Sequence, residues 1–260
     1  MTYKPFDLTG KVALITGGNG GIGLGFAEAV AAAGAHVCIW GTNKEKNAAA
    51  LETLKAYGTR VAAFSCNVAD EKQVESSFRE VLQEFGRVDA CFVNAGVSGK
   101  AGSFLEISAE EWQRVLGVNL TGAFYTFRAA ARHMVERAKN NDPGGRLIGT
   151  ASLAAVSGAA RNEQYAASKG GMISMIKALA VEFARYGITA NAVLPGWIET
   201  SMTEGAFGWK KFVDAVMPRI PVRRWGRPDD FGAIAVYLMS DASVYHTGQN
   251  FCIDGGYLVF

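Results

Sequence analysis

Short apolar runs alternate with longer amphipathic stretches along the whole chain. Residues 11–16 read KVALIT, rich in strand formers, and the cluster GGNGGIG follows at once. A small-residue helical stretch covers 24–33 and stops at Gly34, and a second apolar run spans 37–40. The pattern then predicts a helix over 44–57, ended by Gly58, and a third strand over 60–66. Asp70 opens an amphipathic stretch that reaches Phe85, placed to cap the first free N–H groups of a helix. A fourth strand covers 89–93. The second half keeps the rhythm, with helical stretches in 109–137 broken near Gly117, a polar loop over 139–145 and a strand over 146–150. A long helix over 163–186 ends at Gly187, a strand covers 188–193, Pro228 opens a helix with acids in its first turn, and 248–253 forms the last strand. Such alternation predicts right-handed β-α-β units and a parallel sheet. With no repeat or linker, residues 1–260 read as one domain, the cofactor half over about 10–100 and the catalytic half over about 101–260.

Composition changes this picture little. The chain is 49% apolar and 19% charged, ample for a buried core, and its net charge of +2 gives no reason to expect a nucleic-acid or membrane partner. Arg223, Arg224 and Arg227 read as a solvated loop. The start MTYKPFDLTGK lacks the apolar centre of a signal peptide, and no uninterrupted apolar run would span a bilayer. Cys38, Cys66, Cys91 and Cys252 lie in strand-like runs without C-x-x-C spacing, so buried reduced thiols are expected. His36, His133 and His246 are isolated, and no metal site is expected. The expected location is the cytoplasm, where the sequon at Asn119 would stay unglycosylated.

Two clusters carry chemistry. The glycines between the first strand and first helix permit a tight turn and close approach of backbone to a ligand, and a helix start offers free N–H groups to a pyrophosphate. QYAASKGG places Lys169 four residues after Tyr165, on one helix face. A cation there favours the phenolate, so the tyrosine could exchange a proton with an alcohol near neutral pH. The spacing alone arises readily by chance. Ala166, Ala167, Gly170 and Gly171 around it would let this helix approach its neighbours closely.

Gly17, Gly21 and Gly23 form T-G-x-x-x-G-x-G, and Asn94-Ala95-Gly96 ends the fourth strand. Asn119 lies in V-N-L, Ser152 precedes Tyr165 by thirteen residues, and Thr200 follows Pro195-Gly196. In this order the motifs resemble the classical short-chain dehydrogenase/reductase family over nearly the whole chain. The resemblance implies a Rossmann-type α/β fold, a doubly wound parallel sheet of about seven strands in the order 3-2-1-4-5-6-7 with helices on both faces. It implies an NAD(P)(H)-dependent oxidoreductase that interconverts a ketone and a secondary alcohol by direct hydride transfer. Tyr165 would be the general acid/base and Lys169 its pKa-lowering partner; Ser152 would orient the substrate oxygen, and Asn119 would hold a relay water. The implied cofactor contacts are Gly17, Asn19, Gly20, Gly21, Ile22, Gly23, Gly41, Thr42, Asn43, Asn67, Val68, Asn94, Ala95, Gly96, Tyr165, Lys169, Pro195, Gly196, Ile198 and Thr200. A homotetramer through the long helices and the C-terminal edge, with its apolar YLVF, is also implied.

The acid that selects NAD by its ribose 2′-OH is missing: Gly41 fills its slot, and no Asp or Glu occurs between Glu28 and Glu45. Thr42, Asn43 and Lys44 could donate to a 2′-phosphate, which favours NADP(H) over NAD(H), although no arginine stands at 42 and Gly20 occupies another often basic slot. Asn67 replaces the family's adenine-binding aspartate and keeps an amide oxygen. Residues 197–217 should form a lid, with Trp197, Met202, Phe207, Trp209 and Phe212 as apolar surface, at least half of it packed on the core or a neighbouring subunit and the rest facing a pocket with Val156, Gly158 and Asn162 nearby. Such a pocket suits an apolar or cyclic ketone; polyols and 3-oxoacyl thioesters are handled by similar enzymes. The alternative is a non-catalytic nucleotide-binding scaffold, which would have no use for Asn119, Ser152, Tyr165 and Lys169 together.

Overall fold

Val12–Thr16 (β1) is buried at every position, as in a strand covered on both faces. Its side chains alternate between two cores: Val12 and Leu14 join one, Ala13 and Ile15 the other. The computed structural model describes residues 4–100 and 102–260. Residues 1–3, part of the N-terminal stretch read above, and Ala101, first residue of the expected catalytic half, lie outside the described residues.

Seven strands pair in parallel: β1, β2 (His36–Gly41), β3 (Val61–Ser65), β4 (Ala90–Val93), β5 (Gly145–Thr150), β6 (Ile188–Pro195) and β7 (Asn250–Ile253). Their order is β3-β2-β1-β4-β5-β6-β7, as the resemblance implied. The helices are α1 (Gly21–Ala32), α2 (Lys44–Lys55), α3 (Glu71–Phe85), α4 (Ala109–Leu116), α5 (Gly122–Lys139), α6 (Ala154–Ser157), α7 (Glu163–Phe183), α8 (Glu204–Phe207), α9 (Lys210–Val216) and α10 (Gly232–Met239). Phe127, Met134, Met172 and Ile176 from α5 and α7 fill one face of the sheet; Phe26, Val30 and Leu54 from α1 and α2, with Leu238 from α10, fill the other. The order reverses between β1 and β4, which opens a crevice beyond their C-terminal ends, the usual ligand position in such sheets.

Several expectations need correction. Helix α1 starts at Gly21 rather than 24, because the glycines already belong to its first turn. There is no break near Gly117: residues Gly117–Thr121 form a π-helical turn in which Gly122 N donates to Gly117 O, and α4 runs through it into α5. The helix expected from Pro228 begins as a 3₁₀ turn, Pro228–Phe231, before α10. Cys38, Cys66 and Cys91 are buried, but Cys252 is exposed on the edge strand β7. Asp70 caps α3 as expected, its carboxylate accepting from Lys72 N and Gln73 N. Asn119 is fully buried, so the side-chain amide of its sequon faces no solvent. Among the described residues no helix is long and apolar enough to cross a membrane.

The small residues of α7 are not equivalent. A Cβ on Gly171 would lie 3.0 Å from Leu120, whereas one on Gly170 would meet only Ala155 O at 4.0 Å, so close approach explains Gly171 and not Gly170. Gly122, where α5 starts, passes Val68 so closely that a Cβ would sit 2.9 Å from its Cγ2 and its carbonyl oxygen. In urea unfolding, Gly170→Ala should gain up to about 1 kcal/mol from helix propensity. Gly122→Ala should lose about 1–3 kcal/mol from overpacking. Equal effects would contradict this distinction.

Candidate active site

The crevice at the C-terminal ends of β1 and β4 is built by the glycine turn. Gly17 and Gly21 adopt positive φ, 63° and 53°. A side chain on Gly23 would overlap the Gly17 carbonyl and the Asn94 amide, so this glycine closes the turn against β4. Thr16 Oγ1 accepts from Asn94 N at 2.9 Å and Ala95 N at 3.0 Å, and Asn94 Nδ2 returns bonds to the Thr16 and Gly17 carbonyls at 3.2 and 3.3 Å. No side chain caps α1, which leaves its first N–H groups facing the crevice. That uncapped helix start behind a cradle of glycines fits a dinucleotide pyrophosphate.

At the far end, Asn19 Nδ2 donates to Asn47 Oδ1 at 2.7 Å, and Asn47 Nδ2 donates to the Gly41 carbonyl at 2.9 Å. A Cβ at residue 41 would run into both asparagine side chains. The slot for an NAD-selecting acid is therefore filled by an asparagine pair, a packing reason for Gly41. Asn43 caps α2 by accepting from Lys46 N at 2.8 Å, and Lys46 lines the crevice.

The candidate reactive side chains come from α7 and from the segment just after β5. Lys169 is buried, and its Nζ donates to Thr150 O at the end of β5, at 2.7 Å. Burial pulls its pKa down to about 8. Tyr165 lies one turn earlier, with Lys169 Nζ 5.6 Å from its ring centre. Burial pushes the phenol above its ordinary value, and the bond with the Ser152 side chain opposes this. In the protein by itself, burial thus outweighs the lowering expected from Lys169. Asn119 sits in the π-helical turn, where its Oδ1 accepts from Val97 N at 2.8 Å and its Nδ2 donates to Val97 O at 3.0 Å and Ser168 Oγ at 3.1 Å. That amide fastens the segment after β4 to α7.

Two cavities meet here. One, of about 280 Å³, follows the glycine turn; the other, of about 420 Å³, lies beside segment 197–217. They share Ser152, Tyr165, Pro195, Gly196, Met202 and Thr203, so the reactive groups stand at the junction. Of the expected cofactor contacts, Gly17, Asn19, Gly20, Gly21, Ile22, Asn94, Ala95, Gly96, Tyr165, Lys169, Pro195, Gly196, Ile198 and Thr200 line the first cavity. Gly23, Gly41, Thr42, Asn43, Asn67 and Val68 do not: Gly23 and Gly41 lie behind the turn and the asparagine pair, and Val68 packs on Gly122. Asn67 Oδ1 accepts from Ala69 N at 3.1 Å. Lys46, Thr150, Ala151, Ser201 and Thr203 line this cavity without having been expected there, and Met202, expected as apolar lid surface, lines both cavities; for Lys46 the clue was a basic residue in the first turn of the helix after the second strand.

In the segment 197–217, Trp197, Met202 and Ala206 face the second cavity. Phe207 instead stacks on Trp225 at 4.1 Å, Phe212 meets Trp197 edge-on at 4.8 Å, and Trp209 is exposed. Gly158 and Asn162 line the cavity, while Val156 is exposed and does not.

A family model described as "Enoyl-(Acyl carrier protein) reductase" matches residues 17–258. The chain is 35% identical over 249 residues to the 3-oxoacyl-[acyl-carrier-protein] reductase FabG of Chlamydia pneumoniae, covering 96% of this chain and 97% of that one. A gluconate 5-dehydrogenase from Burkholderia cenocepacia J2315, solved in complex with NADP and tartrate, superposes with a TM-score of 0.92 at 32% identity over 98% of both chains. An NAD⁺-bound xylitol dehydrogenase superposes with a TM-score of 0.88 at 30% identity, over 96% of this chain and 99% of that one. With the strand order, the glycine turn and matches of this length, the chain belongs to the short-chain dehydrogenase/reductase family of NAD(P)-binding oxidoreductases.

Proposed function

We propose that this protein interconverts a ketone and a secondary alcohol, with Tyr165 as general acid/base. The observation that carries this reading is the position of Ser152 and Tyr165 at the junction of the two cavities, with Lys169 one turn beyond. Bound at the glycine turn, the nicotinamide cofactor would supply or accept the hydride. In reduction, the Tyr165 hydroxyl donates its proton to the carbonyl oxygen as negative charge develops there, and Ser152 Oγ holds that oxygen in place. In oxidation the proton returns from the alcohol to Tyr165. Lys169 favours the phenolate and would contact the nicotinamide ribose. The Asn119 amide is already committed to Val97 and Ser168, so a relay water at this residue would use its main-chain carbonyl. The matched family description names enoyl reduction, but the four-residue spacing of Tyr165 and Lys169 favours carbonyl chemistry.

One domain would serve both halves of the reaction, with 197–217 as lid. Self-association as a tetramer would cover the apolar groove between α5 and α7, lined by Phe124, Val135, Met175 and Leu179. It would also cover the C-terminal edge, where Val259 and Phe260 are exposed.

Tyr165→Phe should abolish turnover of ketones and leave the dissociation constant for the cofactor nearly unchanged. A fully active variant would refute the assignment.

For the cofactor we favour NADP(H). The asparagine pair takes the space of a selecting acid, and Lys46, with no ion-pair partner among the described residues, can meet a 2′-phosphate. Lys46→Glu should raise the Kd for NADP about tenfold or more and spare NAD, as read by nucleotide fluorescence titration. Equal losses for both would remove Lys46 from this role. Gly41→Asp is a poorer test, since the new side chain must first displace Asn19 and Asn47.

Lys169 also leaves a mark on stability. With its pKa lowered to about 8 in the fold from 10.5, the unfolded chain binds the extra proton between those values, so stability rises with pH across that window. Below it, both states are charged and the full cost of about 3 kcal/mol stands. The cofactor-free native protein should therefore gain on Lys169→Met between pH 8 and 10.5 in denaturant unfolding. A constant gap would show that the ammonium is not held in a desolvated site.

A further inference from the structure

The geometry points to a neutral, largely apolar ketone bearing one further oxygen acceptor, read at its far end by the Tyr257 hydroxyl, as the substrate of the cavity under the lid. This rests on the ketone–alcohol reading above and narrows it.

No Lys, Arg, Asp or Glu lines that cavity, so a carboxylate or phosphate on the substrate would be buried without a counter-charge. Most of the polar groups in its wall are already committed. Asn162 Nδ2 donates to Ser98 Oγ at 3.0 Å, and Asn162 Oδ1 accepts from Gly99 N at 2.9 Å. Ser157 Oγ is bonded to the Leu153 and Gly158 carbonyls, each at 3.1 Å. Thr203 Oγ1 is bonded to the Ile198 and Thr200 carbonyls, at 2.5 and 3.0 Å. A polyol brings a hydroxyl on every carbon, and each one desolvated without a partner costs about 1–3 kcal/mol. The rest of the wall, with Leu153, Ala160, Pro195, Trp197, Met202 and Ala206, suits hydrocarbon.

Tyr257 departs from this pattern. Its oxygen accepts from Arg219 Nη1 at 2.9 Å, and the guanidinium also lies 4.4 Å over its ring. The hydroxyl hydrogen has no acceptor among the described residues. An O–H whose oxygen already accepts from a cation is polarised into a stronger donor. Arg219 itself has no carboxylate partner among the described residues, so its charge is not neutralised at this point. The cavity is therefore lined by Ser152 and Tyr165, where the carbonyl would react, and by Tyr257, a further donor among largely apolar side chains.

The test uses matched ketones that differ by one CH₂→O exchange: cyclohexanone against oxan-4-one, and 4-propylcyclohexanone against 4-(methoxymethyl)cyclohexanone. Initial rates with NADPH and with NADH are compared for the native enzyme, Tyr257→Phe and Arg219→Met. We expect the ether member of at least one pair to be preferred about tenfold in kcat/KM, through KM, which is one hydrogen bond's worth. Tyr257→Phe should erase the preference, and Arg219→Met, at an exposed site, should reduce it. Equal kcat/KM within both pairs, a preference that survives Tyr257→Phe, or a ketohexose turned over better than all four ketones overturns the inference and leaves the reductase reading standing. No turnover of any ketone with either cofactor overturns that reading, and this inference with it.

Discussion

A single buried bond, from the Lys169 ammonium to the Thr150 carbonyl, ties together the two elements that carry the reactive side chains. Strand β5 ends at Thr150, and two residues later the chain presents Ser152. Helix α7 presents Tyr165 one turn before Lys169. Fixing Lys169 to the strand end therefore fixes the phenol relative to the serine hydroxyl. The main chain keeps the strand end itself in place, since Ala151 N donates to Val193 O at 2.8 Å. The charge is desolvated at some cost in stability, a cost that the proposed role of Lys169 would account for.

The π-helical turn serves the same corner from the other side. An α-helix running straight from α4 into α5 would carry Asn119 on a regular turn. The wider turn lets its amide reach Val97 and Ser168 together, so the segment after β4, the middle helix and α7 share one buried polar knot. π-turns recur at functional sites because they trade regular packing for one redirected side chain. Gly122, just after the turn, lets the helix pass Val68 at close range.

Much of this was legible in the sequence. Alternating apolar and amphipathic runs gave the strands and helices to within a few residues, because period and length are local properties. The motif order led to the glycine turn and to Ser152, Tyr165 and Lys169, which the structure brings together. What escaped were effects of side chains meeting across the fold. The sequence around Gly117 reads as a break, since a π-turn has no distinct residue pattern. Gly41 reads as an absent acid, while the fold adds the Asn19–Asn47 pair that occupies its space. Phe207 and Phe212 read only as apolar surface that lines a pocket or packs elsewhere, and it is Trp225, outside that segment, that draws them into a stack. Cys252 sits in an apolar run, yet β7 is the sheet edge and turns it outward.

The two cavities divide the work along a physical line. The glycine turn is made of backbone, with helix N–H groups and strand-end carbonyls whose positions are set by the sheet register, so it can hold one kind of ligand in a fixed pose. The other cavity is closed by short helices held by aromatic contacts, the Arg219–Tyr257 pair and a few main-chain bonds outside the seven-stranded sheet, such as Glu199 N to Gly226 O and Gly226 N to Trp197 O. Aromatic stacking bears on area and tolerates small shifts, whereas a hydrogen bond to an ordered backbone does not. The segment 197–217 can therefore change the side chains it turns to the cavity without disturbing Thr150, Lys169 or the glycine cradle. The fold thereby separates a crevice built of backbone from a cavity walled by side chains that can vary.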